Sequence, residues 1–341
     1  MAYAPPYTIT EKSVTLIANI MELITKIDIH AKNEINPRLR RDNRIKTIQA
    51  SLAIENNSLS IEQVTAIVNG KRILGPGQDI KEVQNAYEAY EQLLTLDPYD
   101  INSLLTAHKL LMNDLTKEAG KFRSAGVGVF AGDQLVHMAP PAHLVREQIE
   151  DLIKWSKSSE AHPLVKSCVF HYEFEFIHPF SDGNGRMGRM WQTLILYKWK
   201  EIFGWLPVES LIKERQELYY EVLGICDKEA DSGKFIAFLL QAIFDTLSEM
   251  TQTEQATEQA TEQVLKLLGV MGTEPLSTSE LMKRVGIKHR PTFRDNYLLP
   301  AMQQGWVAMT IPDKPNSSKQ KYRKNSEAVF RIAVVEPHRH P

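Results

Sequence analysis

Twelve residues near the middle of the chain, His178-Pro-Phe-Ser-Asp-Gly-Asn-Gly-Arg-Met-Gly-Arg189, concentrate side chains suited to phosphate chemistry. His178 can take a proton near neutral pH. Asp182 offers a hard oxygen of the kind that suits a Mg²⁺ ion keeping its waters and bridging phosphates. Gly183, Asn184 and Gly185 can adopt the tight backbone angles that aim successive N–H groups into one concavity. Arg186 and Arg189 lie three residues apart, so on a helix two guanidinium forks share nearly one face. A base, a metal ligand, an anion cradle and two arginines together describe a phosphoryl- or nucleotidyl-transfer site. The Gly-x-x-x-x-Gly-Lys-Ser/Thr pattern is absent and no strand precedes the run, which excludes a Walker P-loop.

Helical spacing of apolar residues over 162–176 and again over 187–200 makes the run a loop between two helices, the second starting at the glycines. Its N-terminus would add the positive end of a helix dipole to the cradle. Cys168 falls on the first of these helices and is expected in the core. His171, two turns before His178, is likewise expected as a satisfied core histidine.

The run resembles the signature of the Fic (filamentation-induced-by-cAMP) family, HxFx[DE]GNGRxxR, at every fixed position. The resemblance implies transfer of AMP from Mg-ATP to a Ser, Thr or Tyr hydroxyl of a protein, self-modification included. It also implies roles: His178 as the base, Phe180 packed beneath the loop, Asp182 on the Mg²⁺, and Gly183, Asn184 and Gly185 on phosphate oxygens. Arg186 would take the β-phosphate and Arg189 the γ-phosphate. Upstream, Ser51-Leu-Ala-Ile-Glu55-Asn56 resembles the family's [ST]xxxE[GN] inhibitory motif in its class II position, which implies that Glu55 pairs with Arg189 and excludes the γ-phosphate. An arginine gripped by a carboxylate cannot also grip a phosphate. Some members use this glutamate to orient a water and remove AMP, so addition and removal both stand. A third reading is a DNA-binding regulator whose Fic core senses nucleotide. The family also implies an adenine contact near 216–221, where Tyr219 and Tyr220 are the candidates.

The elements that must hold this site are mostly helical. Helices are predicted over 11–36, 42–55, 61–74, 79–96, 100–117, 142–157, 208–230 and 233–250. The basic group Arg38, Arg40, Arg41 and Arg44 is expected on a solvated helix end or loop. Residues 126–138, two apolar runs around Ala131-Gly-Asp133, predict a β-hairpin, which in the family is the flap that aligns the target chain. The fold class is therefore mainly α: a Fic helical core with a small hairpin, followed by a winged helix.

The expected domains are 1–110, an N-terminal helical region with the inhibitory helix; 111–250, the catalytic core; 251–263, a low-complexity Thr-Glu-Gln-Ala linker; and 264–341. The last segment predicts helices over 264–272, 277–285 and 290–305, then strands from Trp306 and Tyr322, a pattern resembling a winged helix-turn-helix. Residues 280–324 hold ten Lys and Arg against three Asp and Glu, although the whole chain, with 40 basic and 42 acidic residues, has a net charge of −2. Duplex DNA and a docked protein, including a second copy of the chain, are both open as partners of this segment. Two isolated cysteines, Cys168 and Cys226, exclude a disulfide framework or zinc site. Without a membrane-length apolar run or a signal-peptide pattern, a soluble cytoplasmic protein is expected.

Overall fold

The computed structural model describes residues 3–30, 37–131, 134–272, 274–303, 305–315, 317 and 319–325. It divides into two compact units, Met1–Glu249 and Met250–Pro341.

The first unit is built from helices α1 (Glu11–His30), α2 (Pro37–Ile54), α3 (Ile61–Val68), α4 (Gly77–Leu93) and α5 (Ile101–Leu111). The antiparallel hairpin β1 (Gly128–Ala131) and β2 (Gln134–Met138) comes next, then α6 (Val145–Ser158), α7 (Pro163–Ile177), α8 (Asn184–Trp199), α9 (Val208–Glu214), α10 (Gln216–Glu229) and α11 (Gly233–Val270), whose residues from Met250 on belong to the second unit. Register in the hairpin shifts between Val129 and Phe130, a bulge two residues from its start. α7 and α8 form the central helical pair. Both are buried nearly all round, with Phe170, Phe174, Met187, Met190, Trp191 and Leu194 fully enclosed, as expected of helices surrounded by others.

One apolar core runs from Ile45 and Ile48 of α2 through Val83, Leu104 and Ile149 to Trp191. A boundary at residue 110, expected from the sequence, therefore does not exist: the helix that leads to Glu55 and the loop share this core. The Thr-Glu-Gln-Ala repeat continues the preceding helix, α11 being one helix of 38 residues. The predicted helix over 208–230 is broken at Arg215 into α9 and α10. The helix from Glu11 is described through His30; residues 31–36 of the predicted span, and Gly132 and Asp133 of the predicted hairpin, lie outside the described residues.

Arg44 corrects another expectation. Rather than lying on a solvated end, its guanidinium reaches the Tyr90 carbonyl at 2.6 Å and the Gly204 carbonyl at 3.4 Å, tying α2 to α4 and to the segment after α8. α2 ends where Asn56 takes a left-handed conformation (φ 67°), a C-terminal stop that a short amide side chain tolerates. That stop turns the chain just past Glu55.

In the second unit, α12 (Thr278–Val285) opens on the predicted Ser277/Glu280 capping box and closes on Gly286 at φ 86°. The following helix is composite: α13 (Arg290–Phe293), a π turn over Arg294–Leu298, and α14 (Leu299–Gln303). Strands β3 (Val307–Met309) and β4 (Tyr322–Lys324) pair antiparallel, and Leu276 bridges Tyr322 through two backbone hydrogen bonds of 2.8 and 2.9 Å. Leu267, Leu281, Phe293, Leu298 and Val307 form this unit's own core.

Candidate active site

His178 caps α7 in a left-handed conformation (φ 51°, ψ 61°), which swings the chain away from the helix. Its Nδ1 lies 3.2 Å from the Glu175 carbonyl, an oxygen that can only accept. Nδ1 therefore holds the proton and Nε2 is the basic nitrogen. Burial, then the neighbouring charges of His137 and Arg123, press the pKa of His178 below the ordinary histidine value, against the Glu175 carbonyl and the Glu55 charge. Its imidazole is neutral at physiological pH.

The loop is braced from beneath. Phe180 is fully buried and stacks on His108, ring centroids 3.6 Å apart and planes 3° apart. The Gly120 N–H donates to His108 Nδ1 at 2.9 Å, so the ring's proton sits on Nε2 and donates to the Asp182 carbonyl at 3.0 Å. Asn184 closes the loop on itself, its amide accepting from the Phe180 N–H and donating to the Phe180 carbonyl, both at 2.9 Å. Its side chain is thus spent on the loop, and what Asn184 presents to an anion is its backbone N–H. Gly183, at φ 83°, is the N-cap of α8, and the first-turn N–H groups after it have no partner within the helix.

A carboxylate from the turn that follows α2 fills the space above the first turn of α8. A Cβ on Gly185 would collide with Glu55 Oε1 and would stand 3.1 Å from Arg189 Nη1. Glu55 Oε1 accepts from Arg189 Nη2 at 2.7 Å, while Ser51 takes the same guanidinium through its hydroxyl at 3.1 Å and its carbonyl at 3.0 Å. The Arg189 side chain is 1% exposed, and its Nη1 is buried without a partner. Glu55 thus occupies the position of an anion: over the glycine, at the positive end of α8, on a buried arginine.

Arg186 is buried too, held by Asp182 Oδ1 at 2.9 Å and Glu82 at 3.4 Å. Asp182 itself is 60% exposed, and its Oδ1 also accepts from the Gly183 N–H at 2.6 Å. No cluster of three or more His, Cys, Asp or Glu suited to a metal occurs among the described residues. A single exposed carboxylate beside an anion cradle fits a hydrated Mg²⁺ that takes its other oxygens from phosphate and water, and does not fit a metal caged by protein alone.

The sequence-based adenine candidates separate. Tyr219 is buried at 1% exposure among Phe235 and Phe238, its hydroxyl 3.1 Å from His171 Nε2, so it is a core residue with no face to offer a base. Tyr220, 47% exposed, keeps an open ring. His171 is fully buried with Gln192 on its Nδ1 at 2.6 Å, as expected of a core histidine, and Cys168 is buried with its thiol pushed up to about 12 by desolvation.

Several site residues had no sequence signal. Arg123, exposed over only 3% of its surface, donates to the carbonyls of Ile177 and His178 and to those of Ala125 and Pro140, the two flanks of the hairpin. Lys213 and Gln216 donate to the Ala53 and Ile54 carbonyls at 2.7 and 2.9 Å, capping α2 one residue before Glu55. Glu175, on α7, is a carboxyl raised to about 8 by burial, with Arg189 opposing and Glu55 reinforcing the shift. Isolated basic and amide residues in amphipathic segments look the same whether they face water or a distant carbonyl.

Residues 98–196 match the family model of the Fic/DOC family, and residues 262–324 that of the filamentation induced by cAMP protein Fic-like, C-terminal domain. The protein adenylyltransferase fic-1 of Caenorhabditis elegans is 27% identical over 195 residues, which are 53% of this chain and 36% of that protein. The protein adenylyltransferase Fic of Nematostella vectensis is 28% identical over 216 residues, 59% of this chain and 47% of that one. The chain therefore spans between about a third and a half of the length of these curated relatives. A Fic-1 structure from C. elegans shares the fold, with a TM-score of 0.59 and 20% identity over 72% of this chain and 73% of that one. A crystal structure of a Fic family protein from Desulfovibrio desulfuricans G20 matches with a TM-score of 0.74 and 52% identity, covering 95% of this chain and 99% of that chain. On that near-complete match, and on a Fic/DOC match that includes the phosphate-type loop itself, the chain belongs to the Fic family.

Proposed function

We propose that the chain transfers AMP from ATP to a hydroxyl of a protein Ser, Thr or Tyr, and that Glu55 on Arg189 holds it inactive until displaced. The observation that supports this best is the occupied cradle: a carboxylate sits where the helix terminus, Gly185 and Arg189 would receive phosphate. His178 Nε2 removes the acceptor's proton. The acceptor oxygen then bonds to the α-phosphorus as the bond from that phosphorus to the α–β bridging oxygen breaks, and pyrophosphate leaves. The first-turn N–H groups of α8, Arg186 and Arg189 hold the charge of the phosphates throughout. Asp182 would hold the Mg²⁺ whose chemistry is to spread the charge of the departing pyrophosphate. Tyr220 supplies the open ring for adenine.

Labelling distinguishes this from hydrolysis or phosphoryl transfer. With ATP labelled at the α-phosphate, Glu55→Ala labels a protein band, either its own or one in a soluble extract, while wild type and Glu55→Ala/His178→Ala do not. Label arriving from the γ-phosphate, or none from either position, refutes the reading.

The charge of the second unit supports a further partner, duplex DNA. α12, a turn over Gly286–His289 and α13 have helix-turn-helix spacing, and the exposed Arg290, Thr292 and Arg294 lie at the start of the second helix, where base edges are read. Lys319, Lys321 and Arg323, exposed on and before β4, would meet phosphate as a wing. Full-length protein should bind duplex with log K falling against log salt at a slope of about −4 to −6, the value for five or six phosphates neutralised. Affinity that ignores salt, or appears only with a protein partner, refutes it.

A further inference from the structure

His137 on β2 touches neither the phosphate cradle nor the loop from 178 to 189, yet it joins three parts of the site. Its Nε2 lies 2.8 Å from the carbonyl of Phe176, two residues before His178, and its Nδ1 lies 2.7 Å from Asp227 Oδ2 on α10. The other carboxylate oxygen of Asp227 accepts from the Tyr172 hydroxyl at 2.9 Å. The His137 and Phe176 rings are 5.0 Å apart, and the histidine side chain is 11% exposed.

The protonation of this ring follows from its partners. A carbonyl oxygen carries no hydrogen, so Nε2 must donate. In a neutral ring Nδ1 would then be bare, and its lone pair would face a carboxylate that accepts from Tyr172 on its far side. Only the imidazolium, with a proton on each nitrogen, satisfies both contacts. We propose that His137 is a positioning residue, whose imidazolium clamps the hairpin to α10 and to the end of α7 and thereby places a fixed positive charge beside His178.

The charged groups around it are consistent. α10 presents Asp227, and α7 presents Tyr172 and the Glu175 carboxyl. The His178 ring and the Arg123 guanidinium, itself bonded to the His178 carbonyl, complete the surroundings. Burial works against a charged His137, but the bond to Asp227, the Phe176 carbonyl and the charges of Asp227 and Glu175 outweigh it and raise its pKa. The clamp is therefore complete below the ordinary histidine range and is lost as pH rises through the raised value. Its charge keeps the proton off His178, so one residue fixes the hairpin's place and the base's form together. The value of this to catalysis rests on His178 being the base of the proposed reaction; the clamp itself does not.

The test needs no nucleotide and no acceptor, so its failure is separate from failure of AMP transfer. In long-range ¹H–¹⁵N spectra of the histidine-labelled full chain at the ordinary histidine value of about pH 6.5, the form of His137 with protons on both ring nitrogens predominates; a predominantly bare-nitrogen signal there overturns the proposal. Asp227→Asn removes the charge but keeps the clamp, because the amide can donate to Nδ1 of a neutral ring. It should raise the His178 titration midpoint by about half a unit or more, with exchange of the Gln134–Met138 amides unchanged within about threefold. His137→Ala should raise the His178 midpoint likewise and speed that exchange by about tenfold or more. A His178 midpoint that moves in neither variant, or hairpin amides indifferent to His137→Ala, overturns it.

Discussion

Replacing Glu55 with alanine removes the carboxylate from the Gly185 cradle and leaves Arg189 with Ser51 as its remaining hydrogen-bond partner. Hydrogen bonds to charged groups contribute about 1.5–3 kcal/mol each. The pair is asymmetric, Arg189 being 1% and Glu55 31% exposed, so solvent reaches the carboxylate and the lower half of that range applies. The guanidinium left behind is buried and short of counter-charge, which lowers the stability of the unliganded protein. The γ-phosphate of ATP can then supply what Glu55 supplied, without first displacing it. Removing that competition should tighten ATP binding by about ten- to thirtyfold, at roughly 1.4 kcal/mol per tenfold. ADP, which has no γ-phosphate, should change by no more than about threefold. Calorimetric titration of wild type and Glu55→Ala with Mg-ATP and Mg-ADP measures both. Equal gains for the two nucleotides would refute the assignment of Arg189 to the γ-phosphate, and no gain for either would refute competition by Glu55.

Three further outcomes follow from the same geometry. Lys213→Ala removes the charged donor to the Ala53 carbonyl from the end of α2, a contact of about 1 kcal/mol at a helix C-terminus; activity with Glu55 intact should rise several-fold, and the same change in Glu55→Ala should add nothing, as read by label transfer. Because His178 must be neutral to act and its pKa is lowered, the rate of Glu55→Ala should hold as pH falls through the ordinary histidine value of about 6.5 and decline only below it; a decline centred above that value contradicts the burial argument. His108 and His171 are buried neutral, at about 4 and about 3. Both titrate near 6.5 once unfolded, so the unfolded chain takes up protons that the folded one refuses. Stability is full above that pH and falls as pH drops toward about 4, by roughly 3 kcal/mol for each group. Thermal unfolding of wild type against His108→Gln over that window measures the first share.

Much of the chemistry is legible in the order of residues alone. In the loop from 178 to 189, type and spacing suffice, because a left-handed cap, a glycine turn and a helix start are local conformations that neighbouring residues impose. The same holds for the Ser277/Glu280 cap and for the helical character of α7 and α8. Where the sequence misled, distant packing decided. Tyr219 and Tyr220 are adjacent on one helix and chemically identical, yet one is in the core and the other in solvent, because the helix α10 turns a single side to Phe235 and Phe238. Arg44 resembles a surface arginine until α4 and Gly204 place carbonyls around it.

By itself the sequence determined which residues are the candidates for base, cradle and phosphate-holding arginines, since each is a matter of residue type at short spacing, and the family resemblance added Glu55 as the expected partner of Arg189. The tertiary structure shows Glu55 reaching Arg189 across 134 positions of chain, and it alone decided that Lys213 and Gln216 cap the helix before Glu55 and that His137 and Arg123 tie the hairpin to the end of α7. These are contacts between polar groups far apart in sequence, and no periodicity records them. They form because burying the apolar faces of α2, α7, α8, α9 and α10 in shared cores leaves carbonyls and charges that must find partners wherever the packing has brought them.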